Sequence, residues 1–303
     1  MEKNLMRAIK SFLDALKPLK PLATGLSPVI AGRSEKFNAV IFDIYGTLLI
    51  SASGDIDKTT LSSESMVKAL KACDIGVSDS EAKMAKAIPL YKETIAEQQA
   101  KVKLNGITHP EIDIREVWHK LLVKFKDNGI VTAIGDNVDI DRAAFIFEIL
   151  SNRVYPMPNM TEIISGLDGM DLKLGIVSNA QFYTPVIMNY FISGKVEMTE
   201  EIKYFDPELT IYSYREKCSK PDVKLYETMA AQLYKKHGIE PEDAIFVGND
   251  MYKDIYAAAA AGFKTVLYAG DMRSLRLRDD QPEVEGMQPD YIITELSQLT
   301  DII

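Results

Sequence analysis

Ala39-Val40-Ile41-Phe42-Asp43-Ile44-Tyr45-Gly46-Thr47-Leu48 is the stretch that decides the fold. Its first four residues are apolar, which predicts a strand buried on both faces of a parallel sheet. Asp43 follows where that strand ends, and Gly46-Thr47 supply a tight turn. Open α/β sheets bind ligands at the carboxyl ends of their strands. An aspartate placed there can act as a nucleophile, with nearby backbone N–H groups holding an anion. Taken alone the pattern also suits a strand-to-turn junction without chemistry, so its reading depends on the rest of the chain.

Upstream, residues 18–34 carry Pro18, Pro21, Gly25, Pro28 and Gly32 and read as a linker. Before it, Leu5, Ile9, Phe12, Leu13 and Leu16 form a helical stripe among Lys3, Arg7, Lys10 and Lys17. A basic amphipathic helix can bind a membrane surface or act as a targeting segment. The expectation here is a helix docked on the domain or on a second subunit, as in a homodimer. Downstream, helical periodicity predicts helices near 61–73, 80–103, 111–127 and 139–152, broken at Gly106, His109-Pro110, Gly129 and Gly135. No strand of a parallel sheet is expected among them.

Strand and helix then alternate. Strands are expected at 172–177, 209–212, 244–247, 265–268 and 291–293, with helices at 221–237 and 254–261. Such alternation predicts an α/β fold: a Rossmann-like, mostly parallel sheet with helices on both faces. An all-helical module is inserted after the first strand. The expected division is an N-terminal helix and linker over 1–36, a core of 37–56 and 156–303, and the helical module over 57–155.

The 303 residues carry a formal net charge of -9, which argues against a broad nucleic-acid footprint but leaves room for a local basic pocket and a small anionic substrate. Two cysteines, Cys73 and Cys218, are too few for a disulfide framework, so a reducing compartment is expected. The three histidines, His109, His119 and His237, are not spaced as a zinc site. No apolar run reaches the length of a membrane span and none resembles a signal-peptide core, so the expectation is a soluble, cytoplasmic protein.

Three further segments end strands or open helices with polar residues. Gly175-Ile-Val-Ser178-Asn179 ends an apolar strand in a hydroxyl, Lys220-Pro221 opens a predicted helix, and Gly248-Asn249-Asp250 with Asp254 follows the strand at 244–247. Together with Asp43-x-Tyr45-Gly46-Thr47 and in this order, they resemble the four motifs of the haloacid dehalogenase superfamily, aspartate-nucleophile hydrolases that are mostly phosphatases. The resemblance runs from Val40 to the closing strand at 291–293. It implies that Asp43 attacks the substrate, that the helical module caps the strand ends, and that Gly46, Thr47, Ser178 and Asn179 hold phosphoryl oxygens. Lys220 would neutralise charge on nucleophile and phosphate. Mg²⁺ would be held by Asp43, the Tyr45 carbonyl and one or two of Asn249, Asp250 and Asp254. The family pattern usually has aspartate straight after the glycine; here Asn249 stands there, so either its amide oxygen or Asp250 takes that role.

Phosphatases of this superfamily place a second aspartate, a general acid and base, two residues after the nucleophile. This chain has Tyr45 there, a phenol with a reference pKa near 10 and so a poor base at neutral pH. Tyrosine at that position resembles the 2-haloacid dehalogenases, whose leaving halide needs no proton. Those enzymes use a cap arginine about 30 residues after the nucleophile, and the candidates here are Arg115 and Arg142 alone. Three readings follow: a Mg²⁺-dependent phosphatase on a small phosphorylated metabolite, a 2-haloacid dehalogenase, or a catalytically weak binding protein. Tyr91, His109, Trp118 and His119 are candidates for lining a cap pocket or for ordinary helix packing.

Overall fold

The computed structural model describes residues 2–30, 36–53, 61–104, 106–136 and 138–303. The end of the expected linker, 31–34, and the expected boundary at 56–57 lie outside the described residues. A six-stranded parallel sheet runs in the order β10 (Tyr291–Ile293), β9 (Lys264–Tyr268), β8 (Ala244–Gly248), β1 (Ala39–Phe42), β6 (Lys173–Ser178), β7 (Thr210–Tyr212). Strand β1 is central, paired with β6 on one side and β8 on the other. The chain therefore winds outward first to one edge and then to the other, and β1 marks the switch point where such sheets bind ligands.

All four residues of β1 are fully buried, as a strand covered on both faces requires. Val40 and Phe42 join the larger apolar cluster, while Ala39 and Ile41 join a second cluster with Leu225, Tyr226 and Met229 of α10 (Lys224–His237). Burying Ile41 or Phe42 contributes roughly 1.5–3 kcal/mol each. The expected helix at 221–237 begins only at Lys224, so Pro221 precedes the helix rather than opening its first turn.

Between the first and second core strands the chain forms α2 (Ser63–Ala72), α3 (Glu81–Met84), α4 (Ala87–Lys103), α5 (Ile114–Asp127) and α6 (Ile140–Ser151). Side chains of Ser62, Asp113 and Asp139 cap α2, α5 and α6 by accepting from backbone N–H groups of the first turn. The expected helix over 80–103 is split before Ala87, and Pro89 sits in the first turn of α4, where its missing donor costs nothing. Trp118 of α5 packs edge-on against Tyr91 of α4 and Phe147 of α6 at centroid distances of 6.1 and 5.5 Å. The module is not wholly helical: β3 (Ile75–Val77) pairs antiparallel with β4 (Val131–Ile134). A second antiparallel pair, β2 (Leu49–Ser51) with β5 (Val154–Pro156), joins the chain where it leaves and re-enters the core.

The N-terminal helix α1 (Glu2–Asp14) docks on its own chain. Ile9 and Leu13 are buried in the main core cluster, where α1 packs on α6. The Tyr190 hydroxyl, from α8 (Thr184–Ser193), donates to Asp14 at 2.8 Å. Farther on, Val29 pairs antiparallel with Ile292 and covers the outer edge of β10. Among the described residues no helix is long and apolar enough to cross a membrane.

Candidate active site

The carboxyl ends of β1, β6 and β8 converge beneath a cavity of about 340 Å³. Asp43, directly after β1, is 5% exposed and lines that cavity. Its Oδ1 accepts from Ser178 Oγ at 2.9 Å and from Lys220 Nζ at 2.7 Å. Among the described residues no protein donor meets Oδ2. Ser178 ends β6, so parallel register with β1 alone brings its hydroxyl beside Asp43.

Lys220 Nζ bridges two carboxylates, donating also to Asp254 Oδ1 at 2.6 Å. The lysine is positioned by Asn179, whose Oδ1 accepts from Lys220 N at 2.8 Å and whose Nδ2 donates to Lys220 O at 3.4 Å. Burial opposes charge on Lys220, but Asp254 and Asp43 outweigh it and raise its pKa, so the ammonium stays protonated. Asp254 sits in a π-helical turn, Met251–Tyr256, and its Oδ2 accepts from the N–H groups of Asn249 and Asp250, both at 3.0 Å. Its carboxyl is pushed up by burial, opposed by Lys220 and reinforced by Asp43 and Asp250. Gly248 is required there: a Cβ would lie 2.4 Å from Asp254 Cβ and Cγ.

The geometry gives several of the expected residues contacts within the protein. Thr47 does not line the cavity; its hydroxyl donates to Asn249 Oδ1 at 3.1 Å and ties the first loop to the fourth. Gly46 spends its N–H on Leu49 O at 2.7 Å. Gly46 has φ +94°, and a Cβ would meet Asn249 and Ser274 at 2.7 Å, so glycine serves the contact between those loops. Asn249 donates from Nδ2 to Ser274 O at 2.6 Å, so both ends of its amide are engaged by protein. Asp250 caps the π turn through Tyr252 N and Lys253 N, and it receives the Arg278 guanidinium in a forked pair at 2.6–3.1 Å. Tyr45 lines the cavity, but its hydroxyl hydrogen-bonds Thr184 Oγ1 at 2.9 Å, and burial raises its pKa, so it stays neutral.

Neither arginine candidate from the helical module faces the cavity. Arg115 forks onto Asp113 and stacks over Phe182 at 5.2 Å; Arg142 donates to Cys73 Sγ and Ala72 O. Tyr91 and Trp118 pack in the helical module, and His119 is exposed beside Asp141. The His109 carbonyl accepts from Ser219 N without its side chain entering the cavity. The charged lining residues that sequence reasoning missed are Glu111 from the helical module and Lys253, Arg276 and Arg278 from the core. Arg276 and Arg278 are brought in by backbone pairing of Arg276 with Asp250, across a separation no local pattern reveals.

The site thus combines a buried aspartate at the switch point of an α/β sheet, a lysine bridging two carboxylates and an insertion, mostly helical, after the first core strand. A family model for haloacid dehalogenase-like hydrolases matches residues 37–262, and the chain belongs to that family. Curated relatives include a glyceraldehyde 3-phosphate phosphatase of Pyrococcus furiosus, 35% identical over 85 residues, which are 28% of this chain and 31% of the relative. Another of that name, from Methanothermobacter thermautotrophicus, is 24% identical over 155 residues, 49% of this chain and 58% of the relative. The matches thus span less than two thirds of either relative's length. Among solved structures, a 2-haloacid dehalogenase from Pseudomonas syringae pv. Tomato DC3000 superposes with a TM-score of 0.51 at 18% identity, covering 88% of this chain and 97% of that one. That likeness carries the fold.

Proposed function

We propose that this protein is a Mg²⁺-dependent phosphomonoester hydrolase acting on a small phosphorylated metabolite, with Asp43 as the nucleophile. The observation that carries the reading is the Asp43–Lys220–Asp254 bridge beneath a cavity to which the helical module contributes Gln99, Pro110, Glu111 and Asn152 but no arginine. A dehalogenase site of the family kind would need that arginine, and Arg115 and Arg142 are committed elsewhere. The curated relatives named as glyceraldehyde 3-phosphate phosphatases support a small phosphorylated substrate. In this reading residues 57–155 act as a cap over a core of 37–56 and 156–303, and 1–36 form an N-terminal helix and linker.

Asp43 Oδ2 attacks phosphorus while Ser178 and Lys220 hold Oδ1 and fix the carboxylate's orientation. Lys220 pairs with the Asp43 carboxylate and offers positive charge to the phosphoryl oxygens. The donors fit a hard cation in kind. Asp43, Asp250 and Asp254 supply carboxylate oxygens, each paired here with Lys220 or Arg278, and among the described residues no three such groups converge on one point. Asp43 and Asp250, with the Tyr45 carbonyl, would hold Mg²⁺, and direct ligation by Asp250 requires Arg278 to give way. Asn249, engaged at both ends, is assigned to loop positioning. Bound Mg²⁺ would screen repulsion between nucleophile and phosphate.

The test is phosphate release from an activated aryl phosphate, with Mg²⁺ and with EDTA, by wild type and Asp43→Asn. The expected result is metal-dependent turnover that falls at least 1,000-fold in the mutant. No turnover above the mutant in either condition would remove the reading and favour a binding role.

A further inference from the structure

We infer that Glu111 is the general acid and base of this site, doing from the helical module what Tyr45 cannot do from the loop after β1. The inference rests on the phosphatase reading. Its starting point is geometric: the Tyr45 hydroxyl is engaged with Thr184 Oγ1 at 2.9 Å, so the side chain two residues after the nucleophile is committed within the protein and is no carboxylate.

Glu111 lines the same cavity as Asp43 and belongs to the inserted part of the chain. Its placement is held by backbone contacts with the loop that precedes Lys220. Glu111 N donates to Lys217 O at 3.0 Å, Pro110 pairs with Cys218, and Ser219 N donates to His109 O at 2.9 Å. On the other side Gln181, three residues beyond Ser178, accepts from Ile114 N and donates to Ile112 O, at 2.9 and 2.8 Å. The segment 109–114 is thus stitched to the loops carrying Ser178 and Lys220, and the position of Glu111 relative to Asp43 is fixed by the core itself.

The carboxylate is oriented as well as located. Glu111 Oε1 accepts from Ile112 N at 2.9 Å, and Oε2 accepts from Ser213 Oγ at 3.0 Å. Ser213 in turn accepts from Ala180 N at 3.1 Å. Burial pushes the carboxyl above the ordinary carboxylate value, against those hydrogen bonds and the nearby Lys253 charge. A carboxyl shifted upward holds a proton at a pH nearer to neutral than a free glutamate does, as an acid for an alkoxide must.

The two half-reactions balance. Asp43 Oδ2 forms a bond to phosphorus and the bond from phosphorus to the ester oxygen breaks. The departing oxygen takes its electron pair and the Glu111 proton, leaving as an alcohol. Water then attacks the phosphoaspartate, giving its proton to the Glu111 carboxylate; the bond to Asp43 breaks and inorganic phosphate leaves.

The test compares kcat/KM for an activated aryl phosphate and a simple alkyl phosphate in wild type, Glu111→Gln and Glu111→Asp. Because kcat/KM reports through phosphoryl transfer to Asp43, it isolates leaving-group protonation. Glu111→Gln is expected to lose at least 100-fold with the alkyl ester and less than tenfold with the aryl ester. It should also show a burst of aryl alcohol before slow turnover, as the phosphoenzyme waits for its base. Glu111→Asp should recover part of the alkyl activity. Equal losses on both esters without a burst, or no loss on either, would overturn the inference while leaving Asp43 chemistry standing. A wild type that releases phosphate from neither ester would overturn the phosphatase reading and this inference with it.

Discussion

Lys220 and Arg278 neutralise carboxylates beneath the cavity from different stretches of the chain. Lys220 was legible because it stands beside Pro221, in order with Asp43 and Ser178. Arg278 was not, because its reach depends on pairing of Arg276 with Asp250 and on a left-handed backbone, φ +58°, at Arg278 itself. Glu111 was hidden for the same reason: a charged residue beside a Pro reads as solvated loop until the segment's backbone contacts with 217–219 are known. The forked Arg278–Asp250 pair sets one expectation at this scale. Arg278→Gln removes a competing cation from Asp250, so divalent cation affinity should rise about tenfold, equivalent to about 1.4 kcal/mol. Mn²⁺ binding followed by electron paramagnetic resonance checks it, with Asp250→Asn expected to weaken binding. Unchanged affinity in Arg278→Gln would place the cation away from Asp250.

Helix α6 shows what can be read at the scale of elements. Its run Ala143 to Phe147 is buried on nearly every side, because α1, α2 and α5 all pack against it. Apolar periodicity located this helix and its neighbours to within a few residues. The pair β3 and β4 escaped because only Val131 of β4 is buried, and Ile75-Gly76-Val77 is three residues interrupted by glycine. Glu148, near the end of α6, lies among Tyr45, Tyr91 and Tyr183 and accepts from Asn152 Nδ2 at 3.2 Å. Burial raises its carboxyl above the ordinary 4.5, against hydrogen bonds from Asn152 and Tyr183. The folded state therefore binds this proton more tightly than the unfolded chain does. Its contribution to stability is largest below about pH 4.5 and declines as pH rises through the folded value. Glu148→Gln keeps shape and removes the charge, so it should raise the melting temperature by about 2 °C at pH 8, with the gain shrinking towards pH 4.5. A gain that is the same at both pH values would contradict the assignment of burial as the cause.

Across the whole molecule residues 2–30 act as a strap. Helix α1 seats Ile9 and Leu13 in the main core where it meets α6, Asp14 reaches Tyr190 of α8, and the following segment crosses to β10 through Val29. One segment thus touches the inserted module and the core on either side of the site. Ile9→Asp, which places a charge at a fully enclosed position, should release α1 at a local cost of about 2–5 kcal/mol. Hydrogen exchange should then quicken in α1 and the facing turns of α6, while β1 and β8 keep their protection. Uniform quickening throughout the sheet would show instead that the strap is part of a single cooperative unit.

The central claim is that Asp43 forms the covalent bond, and a quenched-flow trap addresses it most directly. Enzyme mixed with a phosphate-labelled aryl ester and Mg²⁺, then quenched in acid, should yield labelled protein. The label should be hydroxylamine-labile, map to the peptide containing Asp43, and be absent from Asp43→Asn. Turnover without labelled protein in both wild type and Glu111→Gln, or label on any residue other than Asp43, would contradict the account.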